Sequence, residues 1–301
     1  MTLLEKLRGT LGCDMPLPGG GRTALRHQLL MEIGRQDLSL ARIAEAHWDA
    51  VAILAEAGRE ATPGAVYGVW ASEKPGQPMI LDSGTISGQK QFCSGAGLID
   101  RALVTVSLPE QRLLEIDLHN NSPAIAFDYS SWSTAAFLET RTATVTFTEV
   151  PVTAEIGSPG WYLTRPGFWH GACGPAACWA GGAAGLVDYS TRQPRADPHT
   201  LAHLGAMQAS VWALKSYLDS AGCEIDQDPN DFGRACTRAL MVRHLVEQAC
   251  TDILRRLPRA YGPHPLAFDA EVSQRYQELD LYLRQSHAER DLESLGRRFK
   301  S

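Results

Sequence analysis

The chain has 301 residues, 44% of them hydrophobic and 21% charged, a composition ordinary for a globular protein and more than one hydrophobic core usually supports. A formal net charge of −6 argues against nucleic-acid binding, which normally needs a basic patch, but leaves room for a local basic pocket. The seven cysteines, at 13, 93, 173, 178, 223, 236 and 250, show no Cys-x-x-Cys spacing and no signal peptide accompanies them. They read as reduced thiols of a cytoplasmic protein without a zinc site.

In chain order, residues 14–21 are rich in Pro and Gly and predict a loop. Gly19, Gly20, Gly21 and Arg22 superficially resemble a phosphate cradle. With no preceding strand and no Gly-Lys-Ser/Thr ending, a flexible hinge is the better reading. From Thr23, Leu25, Leu29 and Ile33 recur every four residues and predict a helix. Asp37 or Ser39 can cap a second helix whose face carries Ile43, His47, Val51 and Leu54. His47 reads as a packed core histidine. Gly58 is a fitting stop, and Thr62, Pro63 and Gly64 mark a boundary.

Between residues 65 and 160 the texture changes to short runs rich in Val, Ile, Thr and aromatics. The runs at 66–70, 79–81, 103–108, 113–118 and 143–150 predict an antiparallel barrel or sandwich, with Gly84 and Gly88 bracketing a hairpin. From Pro166 onward, spans near 168–191, 198–222, 230–257 and 269–296 predict a four-helix bundle. The run 171–187, dense in Ala and Gly, is too weakly hydrophobic to cross a membrane and suits close approach of two helices. His199 and His203 share a helical face, but no Glu motif accompanies them, so a metal site is not expected. The expected fold is therefore α+β and multidomain. A short N-terminal helical segment (1–62) precedes a β domain (63–160) and a C-terminal four-helix bundle (161–301).

The most informative stretch is 86–106. Gly88, Gln89 and Lys90 lead into Phe92, Cys93 and Ser94, followed by a Gly-rich bend and a β-branched strand. This resembles the flavin-facing hairpin of the acyl-CoA dehydrogenase family, in which an aromatic packs on the isoalloxazine ring and a hydroxyl bonds to its edge. Residues 34–42 resemble the family's helix before the β domain. Residues 66–71 resemble the strand that ends in a flavin-binding Thr-Glu pair, and 146–152 resemble the closing strand. Leu279 and Asp280 resemble the Arg-Asp before its catalytic turn.

The resemblance implies FAD, held by Phe92 and Ser94, with Trp70 replacing a cofactor-bonding Thr and offering a stacking surface instead. It places Arg192 near a pyrophosphate-binding Arg supplied by a neighbouring subunit, although the Phe-Gly that normally follows is missing and a solvated helix-end Arg is an equal reading. Gly262 falls where the family has a glycine-rich adenine loop. A homodimer, or else a homotetramer, is implied because the family shares its flavin across a bundle interface.

Two departures matter. Dehydrogenation needs a carboxylate base, yet 173–188 contains no Glu and the family's Glu-Gly-Thr turn is absent. The ionisable groups nearest the expected place are His287 and Glu289. His287 continues the stripe of Val272, Tyr276, Leu279 and Leu283 and should face inward, as a core histidine or a general acid/base. Glu289 would lie about 200° further around the same helix. A His here also resembles the superfamily's monooxygenase branch, where reduced flavin meets oxygen. The second departure is length, since about half of the usual N-terminal helical domain is missing. Three readings result. One is an FAD-dependent oxidoreductase acting on the CH–CH group of a thioester or similar acyl substrate, with an electron acceptor. The others are a monooxygenase fed by a reductase partner, and a non-catalytic subunit on the same scaffold.

Overall fold

Strand chemistry between residues 65 and 160 produces two sheets in which consecutive strands pair and are joined by neighbours far apart in sequence. The structure, a computed structural model, describes residues 2–74 and 76–300. The first sheet has the order β1 (Tyr67–Trp70), β4 (Arg101–Val106), β5 (Arg112–Asp117) and β8 (Ala154–Ile156). The second has the order β2 (Ile80–Asp82), β3 (Thr85–Cys93), β7 (Ala143–Pro151) and β6 (Ile125–Asp128). The sheets stay open, so of the barrel or sandwich expected the barrel does not form. Nor is the pairing purely antiparallel, because β1 runs parallel to β4.

Two corrections concern glycines in this region. The β2–β3 hairpin turns at Ser83 and Gly84, both with positive φ, as a two-residue turn requires. Gly88 lies inside β3 at a register shift, with φ 132°, so it makes a bulge rather than the far end of the hairpin. Methionine 79 crowds it, leaving no room for a Cβ.

The residues group into two compact units. One comprises Met1–Asp14 and Arg42–Phe168, the other Met15–Ala41 and Trp169–Ser301. In the first, α1 (Leu3–Thr10) starts with a capping box between Thr2 and Glu5. The apolar face of helix α3 (Leu38–Glu56) packs on the first sheet, where Ile53 and Leu54 meet Tyr67, Leu103, Leu113 and Ile156. Two short helices, α4 (Trp161–Thr164) and α5 (Pro166–Gly171), follow β8.

In the second unit, α6 (Cys173–Arg192), α7 (Pro198–Gln227), α8 (Phe232–Tyr261) and α10 (Ala270–Leu283) form the expected C-terminal helical region, and α2 (Thr23–Gln36) joins them as a fifth helix. Small residues make that possible. A Cβ at Gly34 would sit 2.6 Å from the Cys178 carbonyl oxygen, and one at Gly181 would overlap the Met31 carbonyl oxygen. The Ala/Gly texture of α6 is thus the contact surface for α2. Asp37 caps the next helix, accepting from Leu40 N at 2.9 Å. The segment 269–296 is not one helix. α9 (His264–Phe268) precedes α10, which stops at Leu283, and α11 (Glu289–Arg297) starts anew.

The glycine loop before α2 is not a free hinge. Asp226 on α7 accepts from Gly21 N at 3.0 Å, Thr23 N at 2.8 Å and Thr23 Oγ1 at 2.5 Å. The anion that this loop cradles is the protein's own carboxylate. No helix among the described residues is long and apolar enough to cross a membrane.

Candidate functional site

Phe92 and Ser94 do not lie on a hairpin. β3 belongs to the second sheet and β4 to the first, so the bend between them is a crossover from sheet to sheet. At its start Phe92 takes a left-handed φ of 57°, and Ser94 N closes back on Phe92 O at 2.9 Å. That kink turns the Phe92 ring outward, where it is 62% exposed. Trp132 meets it edge to face at 6.3 Å. An aromatic face offered to solvent is expensive to leave uncovered and suits a planar ligand. Trp70 plays a different part from the stacking surface expected of it. Its indole is buried, and Nε1–H donates to Ser94 O at 3.1 Å, bracing the crossover from inside.

The Ser94 hydroxyl heads a chain whose proton directions can be deduced. Arg42, in α3, donates from Nε to Ser94 Oγ at 2.8 Å. At the far end Thr140 Oγ1 donates to Phe137 O at 2.8 Å. Its single proton is then spent, so Thr142 Oγ1, 2.8 Å away, must donate to it. Ser94 Oγ, 3.0 Å from Thr142 Oγ1, therefore donates to Thr142. Ser94 thus has its proton committed, contrary to the expectation of a donor free for a flavin edge. The positive group at this place is Arg42. It is buried, and its guanidinium carbon lies 4.7 Å from the Phe137 ring centroid and 5.9 Å from that of Trp132. Sequence reading passed over Arg42 as one residue of a helix.

Lys90 of the Gly-x-Lys stretch serves the scaffold. Its fully buried ammonium donates to Glu73 Oε1 at 2.9 Å, Thr105 Oγ1 at 2.8 Å and Ala71 O at 3.4 Å, joining β3 to the first sheet. Burial pulls its pKa below the ordinary lysine value, with Glu73 opposing the shift. His47 is the packed core histidine expected. Its Nδ1 accepts from Tyr67 N at 3.1 Å, so Nε2 carries the proton, and burial lowers its pKa to about 4.

In the second unit the expected residues are dispersed. Arg192, in the last turn of α6, is exposed and lines a surface pocket of about 420 Å³ with Arg35, Asp188 and Lys215. Arg35 pairs with Asp188 at 2.5 Å, leaving the pocket a cationic excess. Gly262 ends α8 with φ 71° and ψ −160°, a conformation essentially reserved for glycine, which gives that residue a local structural reason. His287 does not continue the α10 stripe, because the helix has already ended. It sits in the connector, exposed, with Nδ1 3.3 Å from Asp291 Oδ1 and its backbone N 3.1 Å from Asp291 Oδ2. Glu289, the first residue of α11, is also exposed. Among the described residues no group of three His, Cys, Asp or Glu is placed to hold a metal.

Comparison of folds puts these features in context. No family model matches the sequence and no curated protein sequence matches it. Solved structures do match. The chain is similar to TdsC of Paenibacillus sp. A11-2, solved with FMN and indole, with TM-score 0.77 and 17% identity over 99% of this chain and 86% of that one. TdsC is a dibenzothiophene monooxygenase. A nitrososynthase from Micromonospora carbonacea var. africana matches with TM-score 0.80 and 17% identity, over 97% of this chain and 87% of that chain. Methanesulfinate monooxygenase MsuC of Pseudomonas fluorescens matches with TM-score 0.76 and 17% identity, over 97% and 88%. The fold is the one these solved structures share. At these identities the likeness is one of fold.

Proposed function

We propose that this chain is a flavin-dependent monooxygenase that takes up flavin already reduced, in preference to an acyl-CoA dehydrogenase. The observation that carries the reading is the buried Arg42 cation, bonded to Ser94 and 5.9 Å from the centroid of the half-buried Trp132 ring, which meets the exposed Phe92 ring edge to face. An aromatic platform fits a flavin ring, and a preorganised guanidinium beside it favours the negative charge of the reduced form. When bound, the flavin would supply electrons to oxygen. The chain's residues would position the ring, neutralise its charge and handle protons.

For the proton, the candidate is His287. Asp291 accepts from its Nδ1, which leaves Nε2 free to take up or give a proton. The carboxylate candidate for the dehydrogenase base, Glu289, is exposed at the start of α11, which disfavours abstraction of a substrate α proton by the usual means. FMN is preferred over FAD, because Gly262, the adenine-loop candidate, is accounted for as a helix stop. Arg192 and its cationic pocket are the candidate for a phosphate. FMN in the TdsC structure supports the same choice.

The test is oxygen consumption by the purified chain with FMN, NADH and a separate flavin reductase, using indole and dibenzothiophene as first substrates. Substrate-dependent oxygen uptake with an oxygenated product supports the reading. Anaerobic bleaching of bound flavin by an acyl thioester restores the dehydrogenase instead. Failure to bind oxidised or reduced flavin at all leaves a non-catalytic scaffold.

A further inference from the structure

The α7–α8 turn and the end of α11 surround a second pocket, of about 640 Å³, in the size range of small-molecule sites. Its lining includes Glu224, Asp228, Arg234, Arg238, Met241 and Arg298. Arg238 is the unusual member. It is 6% exposed, and its Nε donates to Glu224 Oε2 at 3.0 Å. Nη1 is shut away from solvent and bonded to nothing among the described residues. Nη2 makes no bond among the described residues either, and it is the group that keeps contact with solvent. A buried guanidinium normally has its donors satisfied. Here the outer fork has no acceptor, although it stands in the wall of a pocket.

We propose that this pocket binds an organic monocarboxylate, with Arg238 as its bidentate anchor. The planar fork matches the two oxygens of a carboxylate. One oxygen entering the pocket reaches Nη2, and the second satisfies Nη1. Charge selects the class: three arginines face two carboxylates, an excess of one positive charge that a single anion neutralises. Arg234 is already occupied with Asp228 at 3.2 Å, which leaves the outer fork of Arg238 for the ligand. Met241 and the arginine stems give the remaining wall an apolar character that suits a short hydrocarbon tail. None of these residues belongs to the flavin reading.

Isothermal titration of the full chain with sodium hexanoate tests this, with inorganic phosphate and hexylammonium chloride in parallel. Hexanoate is expected to bind, phosphate at least about tenfold more weakly, and hexylammonium not at all. Arg238→Lys keeps the charge and loses the fork, and should weaken hexanoate at least about tenfold. Arg298→Ala, on the exposed rim, gives a second variant should Arg238→Lys fail to fold, and should weaken it about threefold. No hexanoate binding up to about 10 mM overturns the proposal, as does phosphate binding more tightly than hexanoate. Parent-like affinity in both folded variants, or in Arg298→Ala when it alone folds, also overturns it.

Discussion

Arg42 Nε lies 2.8 Å from Ser94 Oγ, at the head of a hydroxyl chain whose sense, from Ser94 through Thr142 and Thr140, is set by the Thr140 bond to the Phe137 carbonyl. The chain of hydroxyls therefore ends on a permanent cation. Replacing Arg42 by Met keeps much of its packing but removes the charge. Reduced FMN should bind about tenfold more weakly, or ~1.4 kcal/mol, while oxidised FMN loses less. Titrating both redox states anaerobically checks this, and equal losses would remove Arg42 from the electrostatic role.

Phe92 separates stability from binding. A non-glycine residue held at positive φ is strained, so Phe92→Gly should relieve about 1 kcal/mol, partly offset by the lost edge contact with Trp132. The same change removes the exposed ring and should weaken FMN binding about tenfold. A thermal melt unchanged or raised, together with poorer FMN affinity, is the expected pair.

Acid sensitivity should trace to two buried histidines. His27, whose Nδ1–H donates to Leu218 O at 2.9 Å, and His47 both have pKa values lowered from 6.5 to about 4 by burial. Between about pH 6.5 and 4 the unfolded chain takes up protons that the folded chain refuses, so stability falls as pH falls, by as much as ~3 kcal/mol for each histidine. Above that window the contribution is fully present. His47→Asn retains an acceptor for Tyr67 N and has no titration. Urea midpoints measured across this range should show a slope shallower by one proton, and an unaltered slope would acquit His47.

Two glycines in helices should respond oppositely to alanine. At Gly181 a methyl would overlap the Met31 carbonyl oxygen, and Gly181→Ala should cost about 2 kcal/mol or more. At Gly205, in α7, nothing lies within 4 Å, and Gly205→Ala should stabilise by about 1 kcal/mol. Denaturant unfolding of both variants settles the sign of each.

Local patterns in the sequence were reliable where the physics is local. The runs that became β1, β4, β5 and β7 were readable from β-branched content, Asp37 from its capping chemistry, and α6 from its density of small residues. What lay hidden depends on pairing across long separations. The crossover at Phe92 looked like a hairpin because β3 and β4 are consecutive, yet each finds its partners elsewhere. Gly88 read as a turn because a bulge and a turn ask the same freedom of glycine. His287 was extrapolated along a stripe that Leu283 ends; Gln285 and Ser286 carry no Pro or Gly to announce the break. Arg42 drew no notice because its worth comes from Ser94 and Phe137, both distant in sequence.

The alternation of the chain between its two units has a consequence for biogenesis. α2 exposes Leu30 and Met31, both destined for burial, as soon as it is made, but its partner α6 follows only after the whole β segment. At translation rates of about 5–20 residues per second, that greasy surface waits on the order of ten seconds for cover. During that interval the protein's own α6 gives α2 no shelter, so synthesis leaves this helix waiting for its partner.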